Sequence, residues 1–139
     1  MSTVNDESVF DLQIPVRWCD QDKYGHVNNV ACFQYFEEAR GQWLASQGFQ
    51  MDGLGTGPVL IHQEATYLKE INYPCLLRVE TYLHQPGNTS LKLFHRVVDS
   101  KDDLLYAEGY VKLVWVDHTI GKSIPLPDAL RDIAKKSGI

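Results

Sequence analysis

The second half of this chain alternates apolar and polar residues through four long stretches, about Val59–Leu68, Leu76–His84, Ser90–Asp99 and Leu104–Val116. Leu77, Val79, Thr81 and Leu83 alternate with Arg78, Glu80, Tyr82 and His84, and Leu105, Ala107, Gly109, Val111, Leu113 and Trp115 share one face. A period of two places successive side chains on opposite faces, so each stretch is a strand with one buried side. A fifth such stretch, Phe10 to Trp18, comes first, and Pro15 within it has no N–H to donate, so it belongs at an edge or a bulge. One long segment changes period: Cys32, Phe33, Phe36, Ala39, Trp43 and Leu44 recur at three- and four-residue intervals, predicting a helix over about Val30–Gln47. Asn28 or Asn29 suits its N-cap and Gly48 its C′ position. Gly41 inside it costs roughly 1 kcal/mol against Ala, which suggests either close approach of another element or a glycine that is simply tolerated. Gly87-Asn88 and Ser100–Asp103 carry turn chemistry. Pro127–Lys136 reads as a short final helix, with Asp128 near its positive end. The order is strand, long helix, four strands, short helix, which implies an α+β layer arrangement. One helix covers one sheet face, leaving a face and an edge that a homo-oligomer would bury.

The 139 residues suit one domain, 1–139, with a single core. A formal net charge of -5 argues against a nucleic-acid partner, which a basic stripe would serve. No apolar run approaches the roughly 18 residues a membrane span needs, and the polar Met1–Ser8 segment lacks the pattern of a signal peptide. Cys19, Cys32 and Cys75 are odd in number and form no C-x-x-C pair, so the expectation is a reducing cytoplasm with no disulfide framework and no metal site.

The chemistry gathers in Arg17-Trp18-Cys19-Asp20-Gln21-Asp22-Lys23-Tyr24-Gly25-His26-Val27-Asn28-Asn29, between the first strand and the helix. Backbone N–H groups at a helix start lack intrahelical partners and carry partial positive charge, so they suit a developing oxyanion. A carboxylate just ahead of them can activate water or attack a carbonyl. Read alone, the segment fits the capping and turn roles in which Asp and Asn abound better than it fits catalysis. Asp20 and Asp22 would point opposite ways on an extended turn, and Asp20 reads as the structural one. His26 can orient Asp22, polarise water or hold the helix start.

The run D-x-D-x-x-G-H-V-N-N, with Phe36-Glu37-Glu38-Ala39-Arg40 on the helix after it, resembles the 4-hydroxybenzoyl-CoA thioesterase group of hotdog proteins. It is also similar to the plant acyl-carrier-protein thioesterases. Gly109–Val116, Asp117-His118-Thr119 and Ile124-Pro125-Leu126-Pro127 extend the likeness over almost the whole chain. The resemblance implies a five-stranded antiparallel sheet wrapped around a long central helix, assembled as a homodimer or homotetramer with active sites at the dimer interface. It implies hydrolysis of an acyl thioester of coenzyme A or acyl carrier protein without a cofactor. Asp22, the second Asp of the motif, is then nucleophile or general base, His26 its neighbour and the Asn29 amide the carbonyl-polarising group.

Tyr24, Gly25 and Phe33 are the expected substrate contacts. Tyr24 stands where the plant enzymes have Asn, and Gly87-Asn88-Thr89-Ser90 stands where the 4-hydroxybenzoyl-CoA enzyme has a basic cluster for the nucleotide, leaving Lys69, Arg78, Lys92 or Arg96 for that task. Glu37 and Glu38 read as solvated or ion-paired, and His62, His84, His95 and His118 as structural or surface residues. The rival functions for such a fold are a hotdog hydratase or dehydratase and a non-catalytic acyl-CoA-binding module.

Overall fold

The computed structural model describes residues 7–50, 52–84 and 86–136, of which residues 135 and 136 are described by backbone alone. Residues 1–6 of the polar N-terminal segment, and the outer ends of the 1–139 domain, lie outside the described residues. The elements are β1 (Phe10–Pro15), a single 3-10 turn (Trp18–Asp20), α1 (Asn29–Ser46), β2 (Thr56–Tyr67), β3 (Leu76–Leu83), β4 (Ser90–Asp99), β5 (Leu105–Asp117), β6 (Lys122–Ser123) and α2 (Asp128–Lys136). They make one antiparallel sheet ordered β1-β3-β4-β5-β2, with β6 paired to β5. No helix among the described residues is long and apolar enough to cross a membrane.

The α+β arrangement is as expected, but the sheet has six strands, not five. The sixth is two residues long, pairing Ser123 with Val116 and Lys122 with Asp117, too short for an alternation to show. The helix expected to be long and central is an 18-residue segment, Asn29–Ser46, one of two helices beside the sheet. β2 starts three residues earlier than the alternation suggested: Gly57 and Pro58 already pair with Val116 and Trp115. β1 and β2 are the edge strands, which explains why Pro15 and Pro58 are tolerated in them.

Phe36, Ala39, Trp43 and Leu44 of α1 are buried against the inward faces of the sheet, where Leu77, Val79, Leu93, Val97, Val111 and Trp115 are also buried. Burial of each large apolar side chain contributes about 1.5–3 kcal/mol. His95 joins this layer as a neutral residue. It is fully buried, bonded through Nδ1 to Thr81 Oγ1 at 3.1 Å and stacked on Phe36 at 4.9 Å. Burial, followed by the nearby Arg40 charge, pulls its pKa down to about 3.

Two glycines differ in what surrounds them. A Cβ on Gly41 would meet nothing within 4 Å among the described residues, so there the glycine is simply tolerated. The close approach is at Gly109 in β5, opposite Ala65, where a Cβ would overlap the Glu64 carbonyl oxygen and crowd Ala65 Cα. Here the β2 and β5 backbones pack without room for a side chain.

The segment leading into α1 is tied by Asp20. Its side chain is 2% exposed. It accepts hydrogen bonds from the Arg17 backbone N–H at 2.9 Å, the Arg17 guanidinium at 2.9 and 3.1 Å, and the Tyr35 hydroxyl at 2.9 Å. The Asp20 carbonyl accepts the Asn28 N–H at 2.8 Å. Burial by itself would raise the Asp20 pKa, but the donors from Arg17 and Tyr35 outweigh it and hold the carboxyl below its ordinary 3.8.

Gly41→Ala is expected to stabilise the protein by about 1 kcal/mol, and Gly109→Ala to destabilise it by about 3 kcal/mol because backbone must shift; urea unfolding at one fixed protein concentration measures both. Asp20→Asn is expected to cost about 2 kcal/mol near neutral pH, since buried Tyr35 loses a charged acceptor. A depressed carboxyl stabilises above its unfolded pKa, and that contribution disappears as pH falls through the lower folded value. The wild-type advantage over Asp20→Asn in thermal melts should therefore be full above about pH 5 and shrink below about pH 4.

Candidate active site

The polar loop after Asp20 is a tight hairpin. Gln21 and Val27 form an isolated antiparallel bridge, Asp22 N–H donates to the His26 carbonyl at 3.0 Å, and Gly25 N–H donates to the Asp22 carbonyl at 3.1 Å. The Asp22 carboxylate accepts the Tyr24 N–H at 2.9 Å, so in this conformation it shapes its own turn. Gly25 has φ +84, a left-handed conformation that a Cβ would strain. The hairpin thus places Asp22 and His26 on adjacent strands just ahead of α1.

The start of α1 is capped at some of its amides and open at another. The Asn28 side chain accepts the Val30 N–H at 3.0 Å, and the Asn28 carbonyl accepts the Ala31 N–H at 2.9 Å. Val27 N–H donates to the Ile71 carbonyl at 2.8 Å, which ties this turn to the segment after β2. Among the described residues, no acceptor meets the Asn29 N–H. It is a free donor at the positive end of an 18-residue helix.

Asn29 lines a cavity of about 240 Å³, together with His26, Val27 and Cys32 from the hairpin and α1, and Tyr67, Leu68, Lys69, Glu70, Ile71 and Ala107 from the end of β2, the segment after it and β5. His26 Nδ1 lies 3.3 Å from the Val27 carbonyl, and Nε2 lies 3.8 Å from a Glu70 carboxylate oxygen. The Tyr67 hydroxyl donates to the Asn29 carbonyl at 2.8 Å. Burial pushes the Cys32 thiol up to about 11, so at neutral pH it is a protonated, apolar part of the wall and not a nucleophile. Among the described residues, no three His, Cys, Asp or Glu side chains are grouped to hold a metal ion.

Of the residues singled out from sequence, the cavity brings together His26, Asn29 and Lys69, the last expected as a nucleotide contact. Asp22 is half-buried on the hairpin with its carboxylate on the Tyr24 amide. Tyr24 is 86% exposed and stacks on His26 at 6.2 Å, Gly25 forms the turn, and Phe33 packs edge-on to Phe36 at 6.1 Å beside the core. Tyr67 and Glu70 were missed. They lie about forty residues from the hairpin in sequence, and only the return of β2 to the start of α1 brings them in. The assembly offers a free amide for a carbonyl oxygen, with an imidazole and a carboxylate beside it to handle water and protons.

The model of the thioesterase-like superfamily matches residues 16–133 of this chain. The long-chain acyl-CoA thioesterase FadM of Escherichia coli is 28% identical over 122 residues, covering 86% of this chain and 92% of FadM. The solved structure of the PA2801 protein from Pseudomonas aeruginosa is 43% identical, covers 92% of this chain and 99% of its own, and superposes with a TM-score of 0.88. The 1,4-dihydroxy-2-naphthoyl-CoA thioesterase Slr0204 from Synechocystis, 19% identical over 88% of this chain and 92% of its own, shares the fold with a TM-score of 0.80. With the hairpin, the helix start and nearly every strand inside the matched region, the chain belongs to the thioesterase-like superfamily and is a thioester hydrolase.

Proposed function

We propose that this enzyme hydrolyses acyl-CoA thioesters to a free acid and coenzyme A. The observation that carries this reading is that Asn29, whose N–H meets no acceptor among the described residues, lines a cavity together with His26. The thioester carbonyl oxygen sits on the Asn29 amide, so negative charge developing there meets the positive end of α1. Asp22 then acts as nucleophile or as general base toward water. It reaches the carbonyl by releasing the Tyr24 N–H, a bond worth about 1 kcal/mol. Tyr24, Gly25 and Phe33 lie around this loop and helix start and serve substrate binding. FadM, an acyl-CoA thioesterase, supports a coenzyme A ester as substrate; acyl carrier protein is the other carrier to test.

A second reading of the base rests on the approach of His26 Nε2 to Glu70 at 3.8 Å, both residues lining the cavity. In it, His26 takes the water proton while Glu70 orients the ring. The two readings differ in which carboxylate matters.

The assembly we propose is a homodimer joined along β2, able to pair further into a tetramer. β2 is an edge strand, and Val59, Leu60 and Ile61 on it are exposed, as are Tyr67 and Leu68 at its end. An exposed apolar edge of this kind is a template for another strand.

Free-thiol release from short, medium, long-chain and aromatic acyl-CoAs tests the reaction, with acyl carrier protein esters as a second panel. Asp22→Asn is expected to lower kcat by about 10³-fold or more with the fold intact, and His26→Ala by about 10–10²-fold. A near-normal Asp22→Asn alongside an inactive Glu70→Gln would transfer the base to His26. Ile61→Lys is expected to shift sedimentation from the dimer toward the monomer without unfolding it.

A further inference from the structure

We infer that Tyr67 is a positioning residue for this reaction, holding the first turn of α1 through its hydrogen bond to the Asn29 carbonyl so that the Asn29 N–H faces the cavity. The inference rests on the functional reading above and adds a residue to it. Tyr67 ends β2, and its backbone is paired to Ala107 of β5, so its ring springs from the fixed end of a ladder. The next two amides, Leu68 and Lys69, both donate to the Tyr106 carbonyl, at 2.8 and 3.1 Å, which anchors the chain just beyond the ring. From that anchor the hydroxyl reaches across to Asn29 at 2.8 Å, a contact spanning 38 residues of sequence.

This bond joins the two walls of the cavity. Asn29 and Cys32 stand on the helix wall, and Tyr67 and Ala107 on the sheet wall. The helix start is otherwise held by the Asn28 side chain, which accepts the Val30 N–H of the peptide that carries the Asn29 carbonyl, and by Val27 on Ile71; the tyrosine ties that same peptide to the end of β2. A carbonyl has two lone pairs, so Tyr67 can share it with the helical amide four residues on. The hydroxyl has one proton, already given to Asn29, so it is not available to donate to substrate. Burial raises the Tyr67 pKa, and the group stays a donor through the neutral range. The Asn29 N–H lies one Cα away on the neighbouring peptide, so without the tether the whole first turn is free to shift against the sheet wall and the amide shifts with it. Misplacing a polarising group by about 1 Å costs about 10²-fold in rate.

Tyr67→Phe keeps the ring and removes only the donor. With a hydrolysed acyl-CoA, we expect kcat to fall about 10–10²-fold, KM to stay within about twofold and the melting temperature to hold. In ¹⁵N-resolved NMR, the Asn29 amide should shift and exchange faster while amides in the middle of α1 do not. Unchanged kcat with an unmoved Asn29 signal overturns the inference. So does a raised KM at constant kcat, which would make Tyr67 a wall for the acyl group. Wild-type protein that releases no thiol from either panel overturns the functional reading itself, and is seen before any Tyr67 variant is made. A normal Tyr67→Phe made in an active wild type overturns this inference alone.

Discussion

The buried carboxylate of Asp20 decides where α1 begins. It collects the Arg17 backbone and guanidinium from the end of β1 and the Tyr35 hydroxyl from the second turn of the helix. Its own carbonyl takes the Asn28 amide. One residue therefore ties the strand that precedes the helix, the helix flank and the helix cap. Tyr35 has no cheap alternative, since its hydroxyl is inside the protein and its pKa is driven far upward by burial and then by its bond to Asp20. Asp20 sets the start of α1 in this way, and its bonds do not involve the Asp22 side chain on the hairpin ahead of it.

The sheet supplies the opposite wall by a different constraint. β2 and β5 run antiparallel over eleven paired positions, and at Gly109 they pack too closely for any side chain. That contact holds the register in which Tyr67 faces Ala107 beneath the helix start. A slip of one residue would turn Tyr67 to the other face of the sheet and remove the link to Asn29. The cavity is the meeting point of two independently fixed ends, that of β2–β5 and that of α1.

Most of the fold was legible because its signals are local. Asn28 and Gly48 bracket α1 as their chemistry suggests: one caps Val30, and the other takes φ +89 just past the helix. Alternation located the five long strands, and Pro15 marked an edge. Gly41 and Gly109 show where local reading stops. Each is a glycine in a periodic segment, and what separates them is the Glu64 carbonyl, forty-five residues from Gly109 and invisible in its neighbourhood. Tyr67 and Glu70 escaped for the same reason. The D-x-D pattern did separate its two carboxylates, one buried as a brace and the other left on the hairpin. Which carboxylate meets the substrate depends on the path of β2, and no spacing within the motif encodes that.

The two halves of the proposed chemistry also differ in how ready they are. Polarisation of the carbonyl needs no rearrangement, since among the described residues no acceptor holds the Asn29 N–H and it lies at the positive end of α1. Attack by Asp22 needs its carboxylate to leave the Tyr24 amide. That step is small beside what a preorganised oxyanion donor contributes, about 2.7–4 kcal/mol when one is removed from a site of this kind. Thioesters suit such a division, because the thiolate departs readily and most of the barrier lies in forming the tetrahedral oxyanion. In the proposed reaction a carboxylate that must first leave its turn is then sufficient, provided the amide that receives the charge does not move; the bonds of Asp20 brace the start of α1 from the strand before it, and that of Tyr67 from the sheet wall of the cavity.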